Sequence, residues 1–385
     1  MSAPICDKTE ALIASLEALS PLIAEQRAAF DKERRLTDDV YAALADAGLF
    51  RLWLPRSHGG PELSPLAFME VVEAAAALDG SIGWLVGNGG GMSRVGGYLP
   101  PEVAREIFAD PRAFVVSATG GVGTLEPAEG GWRLSGRWPF GSGAPHASHF
   151  MGLAAVGGVA DADRPLMLCC VPRAEIILHD TWHVSGLRGT GSADFEMRDV
   201  FVPAAHAHPF LDPAPSEPGL LYRMPTLAVF AWTVAVVPLG IARGALDTFA
   251  ALASRKARQG APTLLRDRET VQASVGRAKA SLLAARALLI EAMRELMAAT
   301  DLGGQRLVEA RATLRLAAAH AAESAVAIVD RLEAEAGAVA IFESCALERA
   351  VRDVHAAVKH VAMSPASYIL AGRMTLGLDP GTPRF

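Results

Sequence analysis

The chain is poor in cysteine, in aromatic residues and in clustered charge. Four cysteines stand among its 385 residues, at Cys6, Cys169, Cys170 and Cys345. Their spacing fits neither a tetrahedral metal site nor a disulfide framework, so no metal is expected, and a reducing cytoplasm is the expected setting. No block of five or more basic residues occurs, and 36 Lys and Arg against 42 Asp and Glu leave a formal net charge of −6. That balance argues against a nucleic-acid partner. Residues 1–12 carry Asp7 and Glu10 and lack the apolar run of a signal peptide. The longest apolar stretch, residues 224–242, contains Pro225 and Pro238 and reads as buried helix, so no membrane partner is expected. A strand leading through G-x-G-x-x-G into a helix is also missing, because Gly87-Asn88-Gly89-Gly90-Gly91 follows a helical stretch. The chain is therefore not expected to bind a nicotinamide in that manner.

What is present is ample apolar material, 51% of residues, enough for a large core in two or three domains. Its periodicity changes twice. Residues 8–112 repeat apolar positions at three and four, as in Leu12, Leu16, Leu19 and Ile23, which predicts helices. From about 113, alternation and turn residues predict strands, with a turn at Gly130-Gly131. After the Pro-rich segment Pro213–Pro218, four long helices are expected at about 221–258, 266–299, 305–336 and 345–372. The expected fold is mainly α with a central β domain. It comprises an N-terminal helical domain over 1–112, a β-barrel or sandwich over 113–212 and a C-terminal four-helix bundle over 213–385.

Three stretches carry candidate chemistry. In residues 131–143, Phe140 and Ser142 lie two apart, so an extended chain points both to one face. A flat ring beside a small donor suits the plane and N5 atom of a flavin; a glycine-rich hairpin with a buried aromatic has the same spacing. In residues 182–194, Arg188, Thr190 and Ser192 offer donors to an anionic or carbonyl-rich ligand, or satisfy the backbone of a structural turn. In residues 347–360, Glu348 and Arg352 are four apart and can pair, and Asp353 and His360 are seven apart, sharing one face of an expected helix. His355 points elsewhere and reads as solvated.

Together these stretches resemble the acyl-CoA dehydrogenase superfamily. Gly136, Phe140 and Ser142 stand at the offsets of its flavin corner. The W-x-F-x-S-G form with His146, the string Gly186-Leu187-Arg188-Gly189-Thr190-Gly191-Ser192-Ala193-Asp194 and the Arg352-Asp353 motif are most similar to its group D two-component flavin-dependent monooxygenases, the hydroxylase branch. The resemblance implies the acyl-CoA dehydrogenase-like fold and a flavoprotein oxidoreductase. It implies reduced FAD or FMN supplied by a separate flavin reductase, and O2 as co-substrate. A small aromatic or heteroaromatic molecule would be oxygenated through a C4a-(hydro)peroxyflavin, in a cytoplasmic homotetramer. It implies catalytic roles for His360 and Ser142, and cofactor contacts by Trp138, Phe140, Ser142, Ser117, Arg188 and Thr190. Trp84 and Met92 would line the substrate pocket. Met92 stands where many phenol hydroxylases of the branch carry a histidine, which implies a substrate without a phenol to deprotonate, or a roomier apolar pocket. The three glycines before it are expected to weaken their helix. The alternative is an acyl-CoA dehydrogenase or oxidase with an atypical base. The chain has no acid between Glu217 and Asp247 and only Asp379 after Asp353, so the usual carboxylate base is missing.

Overall fold

Helices, then strands, then helices follow one another along the chain in the computed structural model, which describes residues 4–157, 165–257 and 262–382. The first helices are α1 (Pro4–Glu33), α2 (Asp38–Asp46), α3 (Pro65–Leu78), α4 (Gly80–Met92) and α5 (Pro101–Ile107). Pro65 opens α3 because its fixed φ suits a first helical turn and its missing N–H is not needed there. The strands are β1 (Val115–Ala128), β2 (Gly131–Gly141), β3 (His149–Val156), β4 (Leu166–Pro172), β5 (Ile177–His179), β6 (Ala193–Pro203) and β7 (Ala207–Pro209). The later helices are α6 (Leu220–Arg223), α7 (Thr226–Ala235), α8 (Val237–Ala253), α9 (Glu269–Thr300), α10 (Gly304–Ala336), α11 (Ala346–Ala357) and α12 (Ala366–Thr375).

These elements form two units. The first is built from Met1–Phe68, Leu85–Val184 and Arg188–Thr226, the second from Met69–Trp84, Ser185–Leu187 and Leu227–Phe385.

The first unit holds a mixed seven-stranded sheet in the order β5-β6-β2-β1-β3-β4-β7, with β1 and β3 parallel. The β1–β2 hairpin turns at Gly130, whose φ of +76° lies where a Cβ is disfavoured. Trp138 on β2 is fully buried. Its indole lies over Gly123, Gly136 and Gly152, one glycine from each of three adjacent strands. A Cβ on any of them would stand 2.6–2.7 Å from the ring. The indole N–H donates to Leu153 O at 2.9 Å, so its one polar atom is satisfied. The glycines expected to weaken α4 are packing surfaces in this unit. A Cβ on Gly89 would stand 2.4 Å from Phe114, and one on Gly90 2.9 Å from Leu52. The helix gives up intrinsic propensity there and gains close approach.

The second unit is a helical bundle in which α10 packs against α8, α9, α11 and α12. Its interior is rich in small residues, including Ala317, Ala318, Ala321, Ala322 and Ala325 on α10. Buried Glu73 on α3 is matched by Arg286 at 2.8 Å and Arg243 at 3.7 Å, as a buried carboxylate requires. Two expected long helices are broken. The stretch expected at about 221–258 falls into α6, α7 and α8, with Pro225 between the first two and Pro238 in the first turn of α8. The stretch expected at 345–372 ends at Ala357 and resumes at Ala366. Pro365 lacks a donor and biases Ser364 away from helical backbone, and Ser364 has ψ 137°. Thr226–Ala253 and Gly304–Ile341 are long and apolar enough to span a membrane by length and composition, but 78% and 56% of their most apolar windows are buried.

Candidate active site

Two places just beyond regular elements bring the chemistry-bearing residues together, one in each unit. In the first unit, β2 and β6 lose register between Trp138 and Gly141. At this irregularity Phe140 takes φ +62°, a left-handed conformation rare for an aromatic residue, which costs about 1–3 kcal/mol. Strict alternation therefore fails here. Phe140 is 66% exposed, with its ring edge-on to Trp182 at 6.4 Å. Ser142 N–H donates back to Phe140 O at 2.9 Å, which tightens the corner. Gly143 follows at φ +84°, with no room for a Cβ beside Phe114, and its N–H donates to Thr190 O at 2.8 Å.

That last bond ties the corner to the turn Arg188–Thr190. Ser142 Oγ lies 2.8 Å from Ser192 Oγ, and Ser192 Oγ lies 2.7 Å from Thr190 Oγ1. Ser192 and Thr190 are buried, whereas Ser142 is half-buried. The turn thus presents a chain of three hydroxyls to the corner. Two further polar atoms, Ser117 Oγ on β1 and Arg188 Nε, are buried without a hydrogen-bond partner. Orphaned donors of this kind are rare and call for an explanation. An anionic ligand with a flat ring system would answer the Arg188 Nε donor of the turn and the exposed Phe140 ring of the corner, the donor and ring that a flavin needs.

Two sequence expectations change on inspection. Trp138, expected at the flavin, has no face of its ring open; it anchors the corner from inside the sheet. Thr190, expected as a direct cofactor contact, is buried, and its hydroxyl contacts Ser192, which in turn contacts Ser142. His146 stacks on Tyr41 at 4.4 Å and contacts Leu36 O at 3.0 Å through Nε2. Burial lowers its pKa and favours the neutral ring, a structural arrangement. Met92 ends α4 and is half-buried.

In the second unit, His360 lies past the end of α11 rather than on it, so it does not share a helix face with Asp353. It caps the short turn Val361–Met363, its Nδ1 accepting the Ala362 N–H at 3.2 Å. The neutral ring consequently carries its proton on Nε2. Arg315 on α10 donates to Val361 O at 2.9 Å and steadies the same turn. Trp84 stands edge-on to the imidazole at 5.7 Å. His360 is an exposed residue, yet desolvation by the atoms around its ring, and secondarily the Arg315 guanidinium, push its pKa down to about 4. His355 pairs with Asp330 at 2.9 Å, both half exposed.

The Arg352-Asp353 motif performs a different task. Asp353 is buried and accepts the Leu187 N–H at 2.7 Å; Leu187 itself has φ +52°. Arg352 donates to Ser185 O at 2.9 Å and pairs with Glu348, as expected. Arg349 lies 2.8 Å from Asp79 and 3.9 Å from Asp353. Burial first, then the neighbouring Asp79, push the Asp353 carboxyl up to about 7. The motif is a clamp on residues 185–187. Sequence reasoning missed two features here: Trp182 beside Phe140, and the break before His360, for which Pro365 was the available signal.

Comparison with known proteins follows the same lines. The pattern of the acyl-CoA dehydrogenase N-terminal domain matches residues 16–96, and that of its C-terminal domain matches residues 232–365. Indole-3-acetate monooxygenase of Pseudomonas putida is 34% identical over 366 residues, covering 91% of this chain and 90% of that protein. The flavin-dependent monooxygenase oxygenase subunit HsaA of Mycobacterium tuberculosis is 29% identical over 388 residues, covering 97% of each. Among solved structures, XiaF from Streptomyces sp. in complex with FADH2 and glycerol superposes with a TM-score of 0.89 at 27% identity, covering 99% of this chain and 98% of that one.

Proposed function

Because the chain belongs to the acyl-CoA dehydrogenase family, and within it to the flavin-dependent monooxygenases, we propose that it is the oxygenase component of a two-component system. It takes reduced FAD or FMN from a separate flavin reductase and uses O2 to oxygenate a small aromatic substrate. When bound, the flavin supplies the two electrons that let one oxygen atom enter the substrate while the other leaves as water.

The chain's own residues bind, orient and exclude water. In the first unit, Ser117, Phe140, Ser142 and Arg188 are the proposed flavin contacts, with Thr190 supporting them from behind. The observation that carries this reading is the corner itself, a strained, exposed Phe140 beside a hydroxyl tied into the interior. In the second unit, His360 is the proposed donor toward the activated oxygen. Its low pKa keeps it neutral, and its Nδ1 is occupied by Ala362 N–H, so Nε2–H is a hydrogen-bond donor, not a base. Trp84 and Met92 are the proposed substrate contacts.

Met92 offers a thioether where a phenol would need a base, which favours a heteroaromatic ring. The relative named for indole-3-acetate supports an indole-like substrate. Dehydrogenation of an acyl thioester has no such support. Asp379, the one acid after Asp353, accepts the Gly381 N–H at 2.7 Å in its own turn. We further propose a tetramer in the cytoplasm. Leu283 and Ile369, exposed on bundle helices, support assembly, and the free thiols of Cys169, Cys170 and Cys345 support a reducing compartment.

The test supplies the protein with a flavin reductase, NADH, FAD or FMN, and 18O2, with indole-3-acetate and a panel of phenols as substrates. One labelled oxygen per product, with the indole favoured over the phenols, is the expected result. Flavin reoxidation with peroxide as the sole oxygen product across a broad aromatic panel would overturn the proposal. Bleaching of bound FAD by an acyl-CoA thioester without oxygen would replace it with the dehydrogenase.

A further inference from the structure

Trp182, the ring beside Phe140, sits on a segment with no helix or strand of its own. Residues 180–184 follow β5, and their course depends on what anchors them. From one side, Thr181 Oγ1 donates to Asp194 Oδ1 at 3.0 Å and accepts the Asp194 N–H at 2.9 Å, which ties the segment to β6. From the other, Arg34 donates to both carboxylate oxygens of Asp180 at 2.6 and 3.1 Å, and its Nη1 reaches Trp182 O at 3.4 Å. The His183 ring lies against the same Nη1, at 3.1 and 3.2 Å. Arg34 directly follows α1 with φ +57°, a place at a helix end where glycine is usual. A strained arginine there points to a task. Its planar fork holds a carboxylate and a carbonyl together in a way that a lysine ammonium does not match.

We propose that Trp182 is a second aromatic contact for the flavin, and that Arg34 is the positioning residue that sets it beside Phe140. The inference rests on the reading that the corner holds the flavin, and it adds a wall from a different segment of the chain. The planes of Phe140 and Trp182 are 88° apart, so a flat ligand lying on one ring meets the other edge-on. Stacked and edge-on contacts are both favourable for aromatic planes. Arg34 touches no ligand in this scheme and acts through the backbone of residues 180–182. The side chains of Arg34 and Asp180 are 26% and 70% exposed, and a pair so open to water contributes little to global stability. Its loss is therefore read in flavin affinity and hardly at all in melting.

The experiment measures dissociation constants of anaerobically reduced FMN and reduced riboflavin by ultrafiltration, on Phe140→Ala, Trp182→Ala, Trp182→Phe, Arg34→Gln and the double variant Arg34→Gln/Trp182→Ala. Thermal melting of the flavin-free proteins is followed in parallel. Trp182→Ala is expected to weaken both ligands about two- to tenfold, the range of one aromatic contact, and Trp182→Phe to keep most of the affinity. Arg34→Gln is expected to give a smaller loss, equal for FMN and for riboflavin, which lacks the phosphate. The double variant is expected to be no weaker than Trp182→Ala, because Arg34 acts through that ring. Asp180→Asn removes the same pair from its other side and should reproduce Arg34→Gln; if Arg34→Gln does not fold, it carries the test.

Unchanged affinity in Phe140→Ala sinks the flavin-corner reading itself. A loss in Phe140→Ala with wild-type affinity in Trp182→Ala sinks the second wall alone. A loss in Arg34→Gln for FMN but not for riboflavin means that the guanidinium meets the phosphate, and overturns its positioning role. A further loss on the Trp182→Ala background, or a lowered melting temperature, makes Arg34 a structural residue and overturns that role as well.

Discussion

Ser142 and His360 both lie just past the end of a regular element, yet they are held by different means. Ser142 is fixed by packing. A buried indole fills a slot between three strands behind it, a left-handed Phe140 precedes it, and its hydroxyl enters a buried chain. His360 is fixed by a cap and a charge. One backbone N–H holds Nδ1, Arg315 holds the carbonyl of the next residue, and the residue is exposed. The corner should therefore break when volume is removed and ignore pH. The turn should tolerate volume changes and respond to charge.

Trp138→Ala attacks the packed side most severely. Emptying an indole site in a closed core should remove about 3–5 kcal/mol of stability, read as a lower urea midpoint at unchanged slope. A loss below about 1 kcal/mol would mean that the corner is not held by its core.

Asp353→Asn tests the electrostatic side. The folded protein raises this carboxyl from its ordinary 3.8 to about 7, so it binds the proton more tightly than the unfolded chain does. The resulting stabilisation is fully present below about pH 4 and is lost as pH rises through 7. The melting temperature of the wild type should fall between pH 5 and pH 8 more steeply than that of Asp353→Asn, which keeps an acceptor for Leu187 N–H. Parallel curves would remove Asp353 as the titrating group.

A finer comparison uses the imidazole itself. NMR titration should find His360 neutral throughout pH 6–9, with the proton on Nε2. Arg315→Gln should move its midpoint upward, because a nearby cation is withdrawn. A midpoint near the ordinary histidine value in the wild type would count against the crowded site. The smallest effect is expected from Glu348→Gln, which removes one helical ion pair with Arg352. A change of only a few tenths of a kcal/mol in urea unfolding is expected, and a loss above about 1 kcal/mol would make this pair a main support of the clamp on residues 185–187.

The broad plan was readable from periodicity because it rests on local repeats. Apolar residues at three and four marked α1, and short apolar runs bounded by turn residues marked β3 and β4. The family motifs added the flavin and oxygen chemistry, which no periodicity encodes. What escaped was set by tertiary contact. The Gly89–Gly91 run looked helix-breaking until Phe114 and Leu52 were seen to need the space. Trp138 carried the same motif as Phe140, and only the glycines on two neighbouring strands sent it inward. His360 was placed on a helix because seven residues span two turns; Pro365 marked the break, but its effect reaches back along the chain and is easily passed over. Ser192 was legible as a donor, whereas its place between two other hydroxyls was not.

The indole slot also constrains how this lineage can change. Gly123, Gly136 and Gly152 each forgo a side chain for the same ring, so a single step to alanine at any of them meets the tryptophan, and a single step away from the tryptophan leaves a hole. Neutral drift at one of the four positions is blocked while the other three stand. Relatives should therefore differ here as a set or not at all, and an ancestral chain with a smaller residue at 138 should carry bulk on at least one of the three strands.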